Sequence, residues 1–129
     1  MIKKIKLTLG ILFFLQAFTF SVYSQEKRQV SKKYPNGNPS LVIIVNSKGE
    51  KIKEISYFEN GKVDYEGSFK NKLEHGFWTY YYEDGAKKFV ETYKNGLEEG
   101  KHYEYYPDGQ LAKTEIYVAG KLVQTIDGE

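Results

Sequence analysis

The sequence predicts an all-β chain, an antiparallel meander of hairpin repeats preceded by an amino-terminal signal-peptide helix. Three observations predict it. A 24-residue period runs without insertion from Tyr34 to Glu129, Asn-Gly or Asp-Gly pairs recur at one column of that period, and apolar residues alternate between the turns. Self-similarity at a fixed period marks a repeat architecture, and short strands between closely spaced turns mark all-β structure.

The segment from Met1 to Ser24 stands apart. Met1 to Lys6 carries three lysines and no acid, an unbroken apolar run spans Leu7 to Phe20, and Ser21-Val-Tyr-Ser24 follows with Val22 and Ser24 at the −3 and −1 positions. A charged head, a short apolar run and a small-residue exit predict a secretory signal peptide over 1–24, cleaved before Gln25. The run is shorter than the ~20 residues a membrane-spanning helix needs. The expected location is therefore outside the cytoplasm, periplasmic or extracellular, with no transmembrane span after cleavage.

Removing the leader changes the charge. The whole chain has 19 basic and 17 acidic residues, and three of the lysines belong to the leader, so the remainder is close to neutral. Nucleic acid is not an expected partner, because phosphate binding needs Lys and Arg gathered on one face. Lys27-Arg28 and Lys32-Lys33 sit in residues 25–33, which read as a solvated linker. Cysteine is absent, so disulfides and lipid attachment at a lipobox cysteine are both excluded. About 105 residues remain, enough for a single domain.

Four blocks of equal length follow, at 34–57, 58–81, 82–105 and 106–129. Each opens on an aromatic residue: Tyr34, Phe58, Tyr82 and Tyr106. Three positions on stand Gly37, Gly61, Gly85 and Gly109, each after Asn or Asp. That pairing predicts a type I′ turn, which needs positive φ at both central residues. Further along each block come Val45, Phe69, Tyr93 and Tyr117, at one constant spacing from the glycine. A second turn follows, clearest at Lys94-Asn-Gly-Leu97 and Val118-Ala-Gly-Lys121.

Each block thus reads turn, strand, turn, strand. In the second block, Val63, Tyr65 and Phe69 share one phase of a two-residue period, and the other strand runs from about Gly76 to Tyr82. Two strands add ~9.5 Å of sheet, so four blocks give a ribbon near ~38 Å, with rows of aromatic side chains as its core. The first and last blocks depart most from the pattern. Polar, irregular ends are expected where a sheet stops without recruiting another chain.

Phe58-Glu-Asn-Gly-Lys62, Glu66-Gly-Ser-Phe69 and Glu74-His-Gly-Phe-Trp-Thr-Tyr-Tyr-Tyr82 resemble the bacterial variant of the MORN repeat. Its unit reads approximately YY-x-N-G-K-x-x-x-E-G-x-Y-x-N-G-x-x-x-G-x-W-x-x-Y. The third block matches at Tyr82-Glu-Asp-Gly85, Tyr93-Lys-Asn-Gly96 and Gly100-Lys-His-Tyr-Glu-Tyr105, the fourth through Gly120, and the first mainly at Tyr34-Pro-Asn-Gly37. The resemblance implies an elongated, twisted antiparallel sheet that contacts proteins or membranes without intrinsic catalysis. Chains of this type are often labelled YwqK-like antitoxins, a cytosolic role at odds with a leader unless it becomes immunity outside the cytoplasm.

No catalytic, cofactor-binding or metal-binding constellation emerges. His75 and His102 differ by an odd offset, which predicts opposite faces of a sheet, and both read as surface residues. Glu98-Glu99 and Glu83-Asp84 are adjacent pairs, and neighbours on a strand point apart, against paired general acid–base work. Gly37, Gly61, Gly85 and Gly109 precede no helix and no Lys-Ser pair, so they are turns and not phosphate loops.

The aromatic residues carry the functional expectation. Most form the cross-strand core, and Trp78, Tyr80, Tyr82, Tyr103 and Tyr106 are the candidate contact surface, since Tyr and Trp are enriched at interfaces. The expected function is an exported, non-catalytic module that binds a protein or a cell-envelope component. The alternatives are an antitoxin or immunity protein that neutralises a toxin, and an envelope carbohydrate-binding module stacking sugars on Trp78.

Overall fold

The computed structural model describes residues 26–128. The signal-peptide helix and its cleavage position lie outside the described residues. Among these residues there is no helix, and all strands join one antiparallel sheet. They are β1 (Lys27–Lys33), β2 (Pro39–Val45), β3 (Lys51–Tyr57), β4 (Val63–Lys70), β5 (Leu73–Tyr81), β6 (Lys87–Lys94), β7 (Leu97–Glu98), β8 (Gly100–Tyr105), β9 (Leu111–Val118) and β10 (Lys121–Asp127). Each pairs with the next in the chain, except that the two-residue β7 and β8 both lie beside β6. A positive φ of 84° at Gly100 marks the break between them.

Two kinds of turn occur, alternating from Phe58 onward, and their chemistry differs from the sequence expectation. At the Asn/Asp-Gly columns the glycine N–H donates to the carbonyl three positions back, as Gly61 does to Phe58 at 2.9 Å, and the Phe58 N–H donates to the Lys62 carbonyl at 2.8 Å. Gly37, Gly61, Gly85 and Gly109 have φ between 84° and 96°, whereas Asn36, Asn60, Asp84 and Asp108 are not in the positive-φ region. This is a type I turn closed by a left-handed glycine bulge, not a type I′ turn. The Asn or Asp is selected for another reason. Its side-chain oxygen accepts the N–H two positions on, from Asn38, Lys62, Ala86 and Gln110 at 2.9–3.0 Å.

Type I′ turns occupy the second position in the later three blocks, whereas the second turn of the first block, Asn46 to Glu50, is again type I with Gly49 at a φ of 80°. Asn71 and Lys72 have φ of 52° and 67°, Asn95 and Gly96 have 52° and 81°, and Ala119 and Gly120 have 51° and 78°. Lys72 stands where the next two turns hold glycine. A left-handed conformation costs an ordinary L-residue about 1–2 kcal/mol, partly offset by the greater freedom of glycine in the unfolded chain. Lys72→Gly is therefore expected to stabilise the protein by about 1 kcal/mol, seen as a higher urea midpoint at unchanged slope. A lower midpoint would show that the strain is not there.

Residues 25–33, expected to be a linker, are corrected by the structure. Lys27–Lys33 pairs with β2 from Lys27↔Val45 to Lys33↔Pro39. The reason is the period itself, since Lys27 lies one full period before Lys51 and β1 is the counterpart of β3. Backbone pairing around the Gly37 turn holds the strand despite its charge.

The core is the sheet's own side chains. On one face Phe69, Trp78, Tyr93, His102 and Tyr117 follow each other across β4 to β9, with successive ring centroids 5.3, 6.2, 6.1 and 4.4 Å apart. Phe69, Tyr93 and Tyr117 are one column of the period, and Trp78 and His102 are another. On the opposite face Val42, fully buried, pairs with Ile55, itself buried, and Glu66 beside Ile55 joins Lys53 at 2.7 Å and the Tyr81 hydroxyl at 3.1 Å. Along the turn edge the opening aromatics tie blocks together: Tyr34 Oη donates to the Tyr57 carbonyl at 2.7 Å and Tyr82 Oη to the Tyr105 carbonyl at 2.9 Å. Phe58 occupies the same column without a hydroxyl.

Candidate contact surface

Trp78 anchors the ring-bearing face. It pairs with Gly67, and a Cβ added at Gly67 would lie 2.0 Å from Trp78 Cδ2, so the indole occupies the space a side chain would fill. Tyr65 stacks beside it at 6.0 Å, while Phe69 and Tyr93 meet it edge-on. In the next unit Glu91 stands in the Gly67 column and the smaller His102 in the Trp78 column. His102 is 6 % exposed, stacks on Tyr117 at 4.4 Å and places Nε2 3.0 Å from the Thr92 carbonyl. The expectation that both histidines are surface residues therefore fails at His102, because its column is buried.

The same face collects carboxylates. Glu54 accepts the Tyr65 hydroxyl at 2.7 Å and joins Lys51 Nζ at 3.0 Å, and Lys51 also lies 3.8 Å from the Phe69 ring centre. Burial alone raises the Glu54 pKa, but the Tyr65 hydroxyl and Lys51 together hold it below the usual carboxylate value. Glu91 accepts the Tyr93 hydroxyl at 3.0 Å. Burial, reinforced by Glu91, pushes the Tyr80 phenol up to about 12 and raises Tyr93 as well, so both remain neutral donors at physiological pH. Glu98 lies 3.9 Å from His102 Nδ1, and Lys113 bridges Glu104 and Glu115 at 3.1 Å each. A shallow recess of about 100 Å³ opens among Phe89, Glu91, Glu98, His102, Glu115 and Tyr117.

The five aromatic residues expected to form one contact surface do not come together. Trp78 is only 7 % exposed and lies flat on Gly67, so it offers no open ring for a sugar to stack on. Tyr80 shares its face, beside Tyr65 and Phe89. Tyr103 pairs with Val90 and Thr114 and faces the other way, next to Tyr105. Tyr82 is committed to its carbonyl at the turn edge, and Tyr106 is 55 % exposed at the last such turn. The sequence reading missed Gly67 and the carboxylates. Glu91 and Glu115 follow Gly67 at successive periods, so the repeat contained their alignment, but the bulges that set their face are visible only in the fold.

The architecture defines a repeat protein made from a single antiparallel sheet of hairpins. The family model for the MORN repeat variant matches the chain three times in succession, at residues 52–71, 74–95 and 98–119, so these segments are three consecutive MORN repeats. Each matched unit is offset from the blocks read from the sequence, straddles a boundary between two of them and covers the strands on either side of one Asn/Asp-Gly turn. Repeats of this class commonly serve as protein- or membrane-binding modules. No curated protein and no solved structure matches the chain.

Proposed function

We propose that this protein is an exported, non-catalytic module that binds a protein or cell-envelope component through the face bearing Tyr80, Phe89, Tyr93 and the carboxylates around them. The observation that carries this reading is the uncovered face itself. Among the described residues no second layer packs on the sheet, and half-buried rings stand there between Glu54, Glu91, Glu98, Glu104 and Glu115. Rings supply apolar contact area and the acids favour a partner that brings positive charge. The export part of the reading rests on residues 1–24, and immunity against a toxin met outside the cytoplasm is its narrower form.

The test is retention of envelope components on the immobilised chain, produced with its own leader. The triple variant Glu91→Gln, Glu98→Gln and Glu115→Gln is expected to lose retention at least about tenfold, and added salt is expected to weaken the unaltered protein, as screening requires. Lys101→Gln, on the opposite face, is expected to change nothing. Equal retention by the triple variant, or none by the unaltered chain, would defeat the proposal.

A further inference from the structure

Both outer strands of the sheet are unpaired on one side among the described residues, and they are built differently. β1 reads Lys-Arg-Gln-Val-Ser-Lys-Lys, four cations and no acid. Charge of one sign along an edge keeps a second strand away. β10 reads Lys-Leu-Val-Gln-Thr-Ile-Asp, and every one of its residues is exposed. Leu122, Val123 and Ile126 are 50, 59 and 45 % exposed. The last strand is irregular, as expected of an end block, but Leu122, Val123 and Ile126 keep it from being wholly polar. β10 pairs with β9 from Lys121↔Val118 to Asp127↔Lys113 with a bulge between Leu122 and Gln124 that leaves Val123 unpaired, and the Gly128 N–H donates to the Ala112 carbonyl at 2.8 Å.

We infer that the outer edge of β10 is a self-association site at which two copies of this chain pair antiparallel, tail to tail. The backbone groups facing away from β9 supply the hydrogen bonds, and the exposed Leu, Val and Ile side chains, divided between the two faces by the bulge, flank the new strand pair. Charge selects this arrangement. β10 carries a cation at one end and an acid at the other, so an antiparallel copy sets the Lys121 end of each strand beside the Asp127 end of its partner. Two β1 strands would bring eight cations together, counted from their four each. A β1-to-β10 contact would be heterologous and would grow into a filament, whereas the tail-to-tail contact closes on itself.

Sedimentation of the chain purified from the exported fraction is expected to show twice the monomer mass. Val123→Lys with Ile126→Lys is expected to return it to a monomer with an unchanged β-sheet circular dichroism spectrum. The chain has no cysteine, so single cysteines give an independent reading that does not depend on the lysine variant folding. Gln124→Cys is expected to oxidise to a covalent dimer, and Gln29→Cys in β1 is not. A monomeric unaltered chain, a dimer indifferent to the two lysines, or cross-linking at Gln29 in place of Gln124 would overturn the inference.

Discussion

Trp78→Ala is expected to lower the stability of the protein by about 4 kcal/mol, the range found when a large buried aromatic is truncated. Single domains are stable by about 5–15 kcal/mol, so much of the population would unfold at moderate temperature. The size of the effect follows from position. Trp78 touches the rings of Tyr65, Phe69 and Tyr93, which belong to the strands on either side of β5, so one truncation loosens three strands. A single-layer sheet has no facing layer from which side chains can move into the gap. Trp78→Phe is expected to cost much less. Phenylalanine keeps most of the ring contact and removes the indole Nε1–H, which is buried without a hydrogen-bond partner. Urea denaturation followed by circular dichroism measures both. A loss below about 1 kcal/mol for Trp78→Ala would mean that the rings are not the core.

Gly67→Ala is expected to cost about 3 kcal/mol, at the upper end for overpacking, because the added methyl would enter the indole at 2.0 Å from Cδ2 and 2.2 Å from Cε2. Relief would require lifting Trp78 away from the sheet, which uncovers a ring that is only 7 % exposed. The two positions should be strongly coupled. In a Trp78→Ala background the obstruction is gone, and alanine in a strand is better than glycine by roughly 0.5–1 kcal/mol, so Gly67→Ala should become neutral or stabilising there. A double-mutant cycle reads this directly. The same cost in both backgrounds would show that the indole does not lie on Gly67.

Much of this fold was legible in the sequence because turn chemistry is local. A glycine recurring once per period after Asn or Asp marks a hairpin wherever it stands, and the sheet order follows from hairpins in succession. The turn type was less legible. Asn-Gly serves both a type I′ turn and a type I turn with a bulge, and the difference lies in which carbonyl the glycine N–H reaches. β1 was hidden by its charge, although its spacing from β3 announced it. His102 looked like a surface residue because polarity was weighed before column, and its column is that of Trp78. The contact surface was the least legible, because adjacent aromatics such as Tyr80, Tyr81 and Tyr82 have no assigned face until the register is known.

The sequence by itself determined the period, the turns, the all-β class and the antiparallel succession of strands, since these depend on a few residues and their immediate neighbours. Only the tertiary structure decided which side chains share a face. Bulges near Ser56/Tyr57, Tyr80/Tyr81 and Glu104/Tyr105 each insert a residue on one strand only, and a slip of one residue turns every following side chain to the other side. Counting by twos along the chain therefore loses the face at each hairpin. The pairing of one strand with the next restores it, gathering the carboxylates and rings on one side and leaving β10 apolar at the rim.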